Sequence, residues 1–302
     1  MRTIIAALAF VLLLPAHARA ETLHEALEAY AQYQNDVSAL LDLEVDSAET
    51  VNGALARVSR HNSARVSRGW IAYGALTAAQ SPAFAAGVET RMRSSGRDQM
   101  LRELRSDLGY ARRQPPGSAQ AIQLILNAAS ADSARASYAG RRYDQIARSS
   151  NAGWIRSSAQ RAAPVRALTS TRDTRERLQI GALAVRPLND ADAFGGRRFW
   201  DSLAGRDAGA PGARGRRERR DYASVTDHML TIAALVVLDA ESSERRRVSA
   251  LLNEPLTQTC LEMQRLQLRQ CASVSVDASE RAYCLARHGL SGPGACFSSM
   301  VR

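Results

Sequence analysis

Apolar side chains recur at intervals of three and four residues along much of the chain, which is the spacing of an α-helix that buries one face. The first set lies near the amino terminus and comprises Leu23, Leu27, Tyr30, Tyr33, Val37 and Leu40. Thr22 and Glu25 stand at its start with the spacing of a capping box, in which each side chain binds the backbone of the other residue. These features predict a capped amphipathic helix.

The same pattern predicts further helices. They are expected from Asp46 or Ser47 through Val58, from Ser63 to Gln80, from Ser81-Pro82 onward, from Arg97 to Arg112, from Ile122 to about Ser149, and from Tyr222 to Ala240. No alternation of period two is long enough to predict a strand. The predicted fold class is therefore all-α, a multi-helix domain with a disulfide-linked C-terminal helical hairpin.

The first twenty residues are typical of a secretory signal peptide. Arg2 gives a positive start, and the run from Ile4 to Leu14 is apolar but too short to span a bilayer. Small residues in Ala18-Arg19-Ala20 predict cleavage after Ala20, with Ala16-His17-Ala18 as the alternative site. We expect a periplasmic or secreted protein, and an uncleaved anchor helix is the competing interpretation.

Composition divides the remaining chain into three parts. Residues 21–186 are predicted to form a helical domain, 187–222 a linker or loop rich in Gly, Pro and Arg, and 223–302 a C-terminal helical segment with two disulfides. The loop holds the candidate surface-binding residues Arg197, Arg198, Trp200, Arg214, Arg216, Arg217, Arg219 and Arg220. Two interpretations stay open for this loop. The functional one is an electrostatic docking surface in which Phe199 and Trp200 insert at an interface. The favoured one is a solvated loop whose two aromatic residues pack into the core.

Charge narrows the chemistry and the partners. All 40 basic residues are arginines, and the formal net charge is +10. The absence of lysine excludes Schiff-base chemistry, a Walker A phosphate loop and a Ser–Lys acyl-enzyme. Residues 21–50 carry eight acids and no arginine, which predicts that this acidic part packs against the arginine-rich remainder or that the chain self-associates. Export excludes nucleic acid and leaves envelope proteins and anionic envelope surfaces as expected partners.

Four cysteines, all late in the chain, predict two disulfides. Cys260 and Cys271 fall on one face of a predicted helix but about 16 Å apart, too far for a disulfide. Cys284 lies on a second predicted helix, capped by Asp277 with Glu280, and Cys296 follows a predicted turn at Ser291-Gly292-Pro293-Gly294. The nested pairing Cys271–Cys284 inside Cys260–Cys296 is expected. The crossed pairing Cys260–Cys284 with Cys271–Cys296 stays open.

The residues around these cysteines carry a resemblance. They are Cys260-Leu261, Leu266, Gln270-Cys271, Tyr283-Cys284-Leu285 and His288. This pattern resembles the C-terminal part of uncharacterised exported helical proteins of Gram-negative bacteria. The resemblance covers roughly the last third of the chain, with a looser similarity between Trp70 and Phe84. It implies an exported helical protein and brings no activity with it.

The catalytic motifs we considered are incomplete. His24-Glu25 begins a zincin-like motif, but Glu28 stands where the second histidine is needed. Asp227-His228 is interpreted as a surface helix start, and Glu241-Ser242 is a two-residue similarity to lytic transglycosylases. We therefore expect no metal and no cofactor, and favour a non-catalytic envelope protein that binds a partner protein or an anionic envelope surface. The alternative is a cell-wall glycan hydrolase with Glu241 as a nominal acid.

Overall fold

The computed structural model describes residues 21–149 and 216–302. The signal peptide predicted for residues 1–20 lies outside the described residues, as does most of the predicted linker. Within the described ranges, helices account for most residues and no strand forms, apart from one isolated bridge between Glu218 and Val301. The predicted all-α fold class is confirmed.

The helices follow one another with short connections. The first range contains α1 (Leu23–Asp42), α2 (Ala48–Ser59), α3 (Ser63–Ala79), α4 (Pro82–Ser95), α5 (Arg97–Ser106), α6 (Tyr110–Arg113) and α7 (Ser118–Arg148). The second contains a 3₁₀ turn (Arg220–Tyr222), α8 (Ala223–Val237), α9 (Arg245–Leu252), α10 (Pro255–Val274), α11 (Ala278–Cys284), a π-helical segment (Leu285–Ser291) and α12 (Gly292–Phe297).

The side chains at the predicted starts of α1 and α4 form the expected caps. The Thr22 backbone N–H donates to Glu25 Oε2 at 2.8 Å, and the Glu25 N–H donates to Thr22 Oγ1 at 3.2 Å, which completes the capping box of α1. Ser81 caps α4, and Pro82 occupies its first turn, where a missing N–H costs nothing. Local chemistry therefore defines these helix ends before any tertiary contact is considered.

The predicted helix from Arg97 to Arg112 is wrong in its length. Helix α5 ends at Ser106, and the chain resumes as α6 at Tyr110. Between them, Asp107 Oδ1 accepts a hydrogen bond from the Gly109 N–H at 3.0 Å. Aspartate competes with the helix in this way, because its side chain supplies an acceptor that closes a local turn.

Helix α3 is the centre of the molecule. It packs against α1, α7, α8 and α10, and all its residues from Gly69 to Ala79 are buried. A helix that is buried all round belongs in the middle of a core. Gly69 lets the α1 backbone approach, since an added Cβ there would lie 2.5 Å from the carbonyl oxygen of Ala26.

Four aromatic rings join the two described ranges. Phe297 of α12 stands edge-on to Tyr30 of α1, with ring centroids 5.0 Å apart, and lies 5.6 Å from Trp70 of α3. Tyr73 completes the group at 6.0 Å from Trp70. Residues of both predicted parts, 21–186 and 223–302, thus contribute to one hydrophobic core. The domain boundaries themselves stay predictions.

Arginines contact the acidic first part of the chain. Arg68 Nε lies 2.7 Å from Glu21 Oε2, and Arg57 Nη1 lies 3.8 Å from Asp36 Oδ1. These pairs supply intramolecular contacts of the predicted kind, while self-association stays a prediction.

None of the described helices combines the length and the apolar character that a bilayer-spanning helix requires.

Candidate functional site

Two nested disulfides fix the carboxy-terminal helices. Cys260 of α10 binds Cys296 of α12 with a Cα–Cα distance of 5.7 Å, and Cys271 of α10 binds Cys284 of α11 with 5.6 Å. The predicted nested pairing is confirmed and the crossed pairing is excluded. Asp277 accepts from the Glu280 N–H at 2.9 Å and so caps α11.

The predicted turn at Ser291-Gly292-Pro293-Gly294 is wrong. The chain continues helically from α11 through the π-helical segment into α12, and Pro293 occupies the first turn of α12. Over the twelve residues from Cys284 to Cys296, a regular α-helix would rotate the second side chain about 120° away from the first. A π-helix rotates less per residue. This difference brings both cysteines round to face α10.

A groove rich in arginine runs between α7 and the segment formed by α11 and the π-helical turns. We call it the arginine groove. Its wall on α7 comprises Gly140, Arg141, Asp144 and Arg148, and its opposite wall comprises Tyr283, Ala286, Arg287 and Ser291. Its volume is about 320 Å³. That is at the lower end of the range of small-molecule sites.

The spacing of its residues explains how the groove forms. Arg141, Asp144 and Arg148 are three and four residues apart on α7, so they share one helix face. Gly140 lets the π-helical segment approach closely, because an added Cβ would lie 2.0 Å from Ser291 Oγ. Close packing of the two segments at Gly140 therefore forms the bottom of the arginine groove, and the longer side chains on either side form its walls.

The groove carries an excess of positive charge. Asp144 accepts from Arg148 Nε at 2.9 Å, and this hydrogen bond raises the pKa of the Arg148 guanidinium. Arg141 lies 5.8 Å from the centre of the Tyr138 ring, and Arg287 is exposed. Three guanidinium groups and one carboxylate leave two net positive charges. Arginine donates several hydrogen bonds in a planar fork, which suits phosphate and carboxylate ligands.

An apolar pocket continues from the arginine groove. It has a volume of about 470 Å³ and shares Arg148 and Tyr283 with the groove. We call it the cystine pocket, because the Cys271–Cys284 disulfide contributes to its lining. Its other residues are Ala147, Val274, Ser275, Ser279 and Glu280. The Val274 side chain is unusually accessible for an aliphatic residue, at 76% exposure.

The predicted docking loop is described only in its last part. Arg197, Arg198, Trp200 and Arg214 lie outside the described residues, as does Phe199. The arginines at 216, 217, 219 and 220 follow one another on a short stretch that leads into α8, and we call residues 216–220 the arginine stretch. Arg217, Arg219 and Arg220 are exposed, and Arg219 lies 4.8 Å above the Tyr222 ring.

The backbone of the arginine stretch is held in place. The Arg219 N–H donates to the Met300 carbonyl at 2.9 Å, and Gln123 of α7 donates to the Arg216 carbonyl at 2.9 Å. Glu218 forms an ion pair with Arg112 at 2.6 Å, an arrangement with two parallel hydrogen bonds. Glu218, which lies between two pairs of arginines, therefore anchors the arginine stretch, while Arg217 and Arg219 on either side of it stay exposed.

A smaller cleft contains two histidines. His61 Nε2 lies 2.9 Å from Asp36 Oδ2, and the Tyr33 hydroxyl donates to the Gly289 carbonyl at 3.5 Å. His288 Nδ1 is buried with no hydrogen-bond partner among the described residues, and burial lowers the pKa of this ring. The cleft has a volume of about 40 Å³, which is room for roughly three water molecules. An organic ligand fits the arginine groove better.

The catalytic candidates of the sequence are dispersed. Asp227 binds Arg112, while His228 Nδ1 lies 2.6 Å from the Leu251 carbonyl, so the two neighbours address different partners. Glu241 occupies the turn between α8 and α9, and its Oε2 is buried without a hydrogen-bond partner in the described part of the chain. Across residues 21–149 and 216–302, no group of three His, Cys, Asp or Glu side chains is placed to hold a metal ion.

Sequence reasoning missed the arginine groove. Its arginines come from positions 141, 148 and 287, and more than 130 residues separate the two walls. The local pattern offered one weak indication, the spacing of Arg141, Asp144 and Arg148 on a predicted helix. In a chain with 40 arginines that spacing does not stand out.

Comparison of the chain with protein-family models, with curated proteins and with solved structures found no significant match.

Proposed function

We propose that this protein is an exported, non-catalytic envelope protein that binds an anionic group, on a partner protein or on the envelope surface, through the arginine groove. The observation that carries the proposal is the convergence of Arg141, Arg148 and Arg287 on one cavity with a single carboxylate, Asp144. Guanidinium groups that line one cavity attract anions and bind them through charge-assisted hydrogen bonds.

The chemistry of the groove favours binding over catalysis. Arginine stays protonated at working pH, so it is unsuited to general acid–base catalysis. The one carboxylate of the groove is held in an ion pair with Arg148. The remaining guanidinium groups are hydrogen-bond donors, and such a set of donors favours recognition of an anion over catalysis.

The disulfides support the exported location. Structural disulfides persist in oxidising compartments and are rare in the cytosol of mesophiles. Both bridges of this chain lie in its carboxy-terminal helices, and none of the four cysteines is free. Amino-terminal sequencing of the periplasmic protein tests the location, since a chain that still begins at Met1 contradicts export with cleavage after Ala20.

Vesicle cosedimentation tests the binding site. We expect the protein to bind vesicles that contain phosphatidylglycerol and to leave pure phosphatidylcholine vesicles unbound. Replacement of Arg141 and Arg287 by glutamine should weaken binding at least about tenfold, because two charge-assisted contacts are lost. The matched control replaces Arg93 and Arg102, two exposed arginines of α4 and α5, and keeps the same net charge. An equal loss in both double variants contradicts a specific role for the groove.

The partner-protein form of the proposal has its own test. Crosslinking in the envelope fraction should give an adduct that the Arg141→Gln/Arg287→Gln chain loses and the Arg93→Gln/Arg102→Gln chain keeps. An adduct retained by both chains places the interface elsewhere.

A cell-wall glycan hydrolase is the second candidate. A single observation favours it: Glu241 Oε2 is buried without a hydrogen-bond partner among the described residues. Glycoside hydrolases use a carboxyl group as the general acid. A zymogram on purified peptidoglycan separates the two candidates. Clearing that disappears in the Glu241→Gln protein supports the hydrolase, and the absence of clearing by the wild-type protein removes it.

A further inference from the structure

The arginine groove and the cystine pocket form one continuous site with two chemistries. Arg148 and Tyr283 line both cavities, so the groove and the pocket adjoin at these two residues. We expect one ligand to reach from the groove into the pocket across this boundary. The groove presents guanidinium groups, whereas the pocket presents Ala147, Val274 and the Cys271–Cys284 disulfide. A ligand that satisfies both halves has an anionic head and an apolar tail.

We infer that the site binds a phosphorylated amphiphile, with its phosphate between Arg141, Arg148 and Arg287 and its aliphatic chain in the cystine pocket. The inference rests on the proposed function, because it names the ligand class of the same groove. Charge complementarity indicates a phosphate as the head group. The arginine groove carries two net positive charges on planar guanidinium groups, and these match a phosphate that carries one or two negative charges.

The pocket argues for an aliphatic tail. Val274 is 76% exposed and Tyr283 45% exposed, so both present accessible apolar surface beside the charged groove. Two charged residues line the pocket, Glu280 and the Arg148 that it shares with the groove, and Glu280 Oε2 accepts a hydrogen bond from the Val276 N–H at 2.6 Å. Covering this surface with a hydrocarbon chain removes apolar area from water. A free inorganic anion leaves it exposed.

Three probes resolve the two halves. Dodecyl phosphate below its micellar concentration carries both head and tail, inorganic phosphate carries the head alone, and dodecyl maltoside carries the tail alone. We expect isothermal titration calorimetry on the full chain to show dodecyl phosphate binding at least about tenfold more tightly than either of the other probes, because one molecule gains both sets of contacts.

Variants of each half provide the cross-check. Arg141→Gln/Arg287→Gln should weaken dodecyl phosphate about tenfold and leave dodecyl maltoside unchanged. Val274→Ser should weaken dodecyl phosphate and leave inorganic phosphate unchanged. The matched control is Val276→Ser, since Val276 is also exposed, at 61%, and does not line the pocket.

Each outcome decides a separate question. Equal affinity for inorganic phosphate and dodecyl phosphate overturns the amphiphile while the proposed anion-binding function stands. Equal affinity for dodecyl maltoside and dodecyl phosphate overturns the phosphate head. No binding of any probe, together with vesicle binding that is indifferent to the groove variants, overturns the inference and the proposed function alike. Equal losses in Val274→Ser and Val276→Ser overturn the assignment of the tail to the cystine pocket.

Discussion

Arg281 and Arg112 show how differently one side-chain type is used in this arginine-rich chain. Arg112 binds both oxygens of Glu218 and also reaches Asp227, so its partly buried charge is neutralised. Arg281 is only 3% exposed, and its Nε has no hydrogen-bond partner among the described residues. Burial lowers the pKa of its guanidinium, although Asp277 and Glu280 act in the opposite direction.

Replacing Arg281 with methionine should stabilise the protein. Among the described residues Arg281 forms no ion pair, so its desolvation costs more than its attraction to Asp277 and Glu280 returns. An apolar side chain of similar length removes that cost. We expect Arg281→Met to raise the free energy of unfolding by about 1 to 2 kcal/mol in urea titrations. The control Arg269→Met, at an exposed position of α10, should change it by less than about 0.5 kcal/mol. A loss of stability in Arg281→Met would refute this account.

His288 should make the fold sensitive to mild acid. Burial and the neighbouring charge of Arg287 lower the pKa of the folded ring, so the unfolded chain binds the proton more tightly. This part of the stability is complete above the unfolded pKa of about 6.5 and is lost as the pH falls toward the lowered folded value. Urea titrations at pH 7.5 and 5.5 should show a smaller loss in His288→Gln than in the wild type. His24→Gln, at an exposed position, should behave as the wild type, and equal losses in all three proteins would contradict the prediction.

At the scale of helices, local sequence carried most of the information. The spacing of apolar residues predicted α1, α3 and α7, and a capping box predicted the start of α1, because both signals depend on residues within one or two turns. Helix α7 begins at Ser118, four residues before the predicted Ile122. The break at Asp107 was missed because a mid-helix aspartate forms a turn only when its side chain bends back to the backbone. The turn predicted at Ser291-Gly292-Pro293-Gly294 is wrong because proline is favoured in the first turn of a helix as well as after its end. Here Pro293 lies in the first turn of α12.

The two disulfides should differ in their contributions to stability. The inner bridge closes a loop of 13 residues and the outer one a loop of 36, for which chain entropy gives about 3 and about 4 kcal/mol. We expect Cys260→Ala/Cys296→Ala to unfold at lower guanidinium concentration than Cys271→Ala/Cys284→Ala. Non-reducing peptide mapping of each variant confirms that the remaining bridge has formed. The reverse order of stabilities would show that packing at the inner bridge outweighs chain entropy.

At the scale of the whole molecule, the two basic surfaces lie toward opposite ends of one helix. Gln123 of α7 contacts the arginine stretch, whereas Arg141 begins the arginine groove 18 residues later, about 27 Å along the helix axis. The arginine stretch could be recognised in the sequence because its members are consecutive. The groove could not, because its walls meet only when the disulfide-linked helices dock on α7.

Binding to anionic vesicles should depend strongly on salt and little on pH. Exposed charges are screened as ionic strength rises, so we expect affinity for phosphatidylglycerol vesicles to fall at least about tenfold between 50 and 500 mM sodium chloride. Arginine does not titrate in the working range, so affinity should stay level between pH 5.5 and 8.5. Vesicle cosedimentation across the salt series and the pH series measures these affinities. Binding that rises steeply below pH 6 would assign the interaction to histidines.

The nested disulfides also have a consequence for biosynthesis. If the chain is exported amino terminus first, as we propose, Cys260 and Cys271 emerge before either native partner, and an oxidase that joins successive thiols would link them wrongly. Helix α10 opposes this error, because eleven residues of helix hold the two sulfurs about 16 Å apart. We therefore expect helix formation between Pro255 and Val274 to prevent a bridge between Cys260 and Cys271. Helix-breaking substitutions there should make correct oxidation depend on a disulfide isomerase.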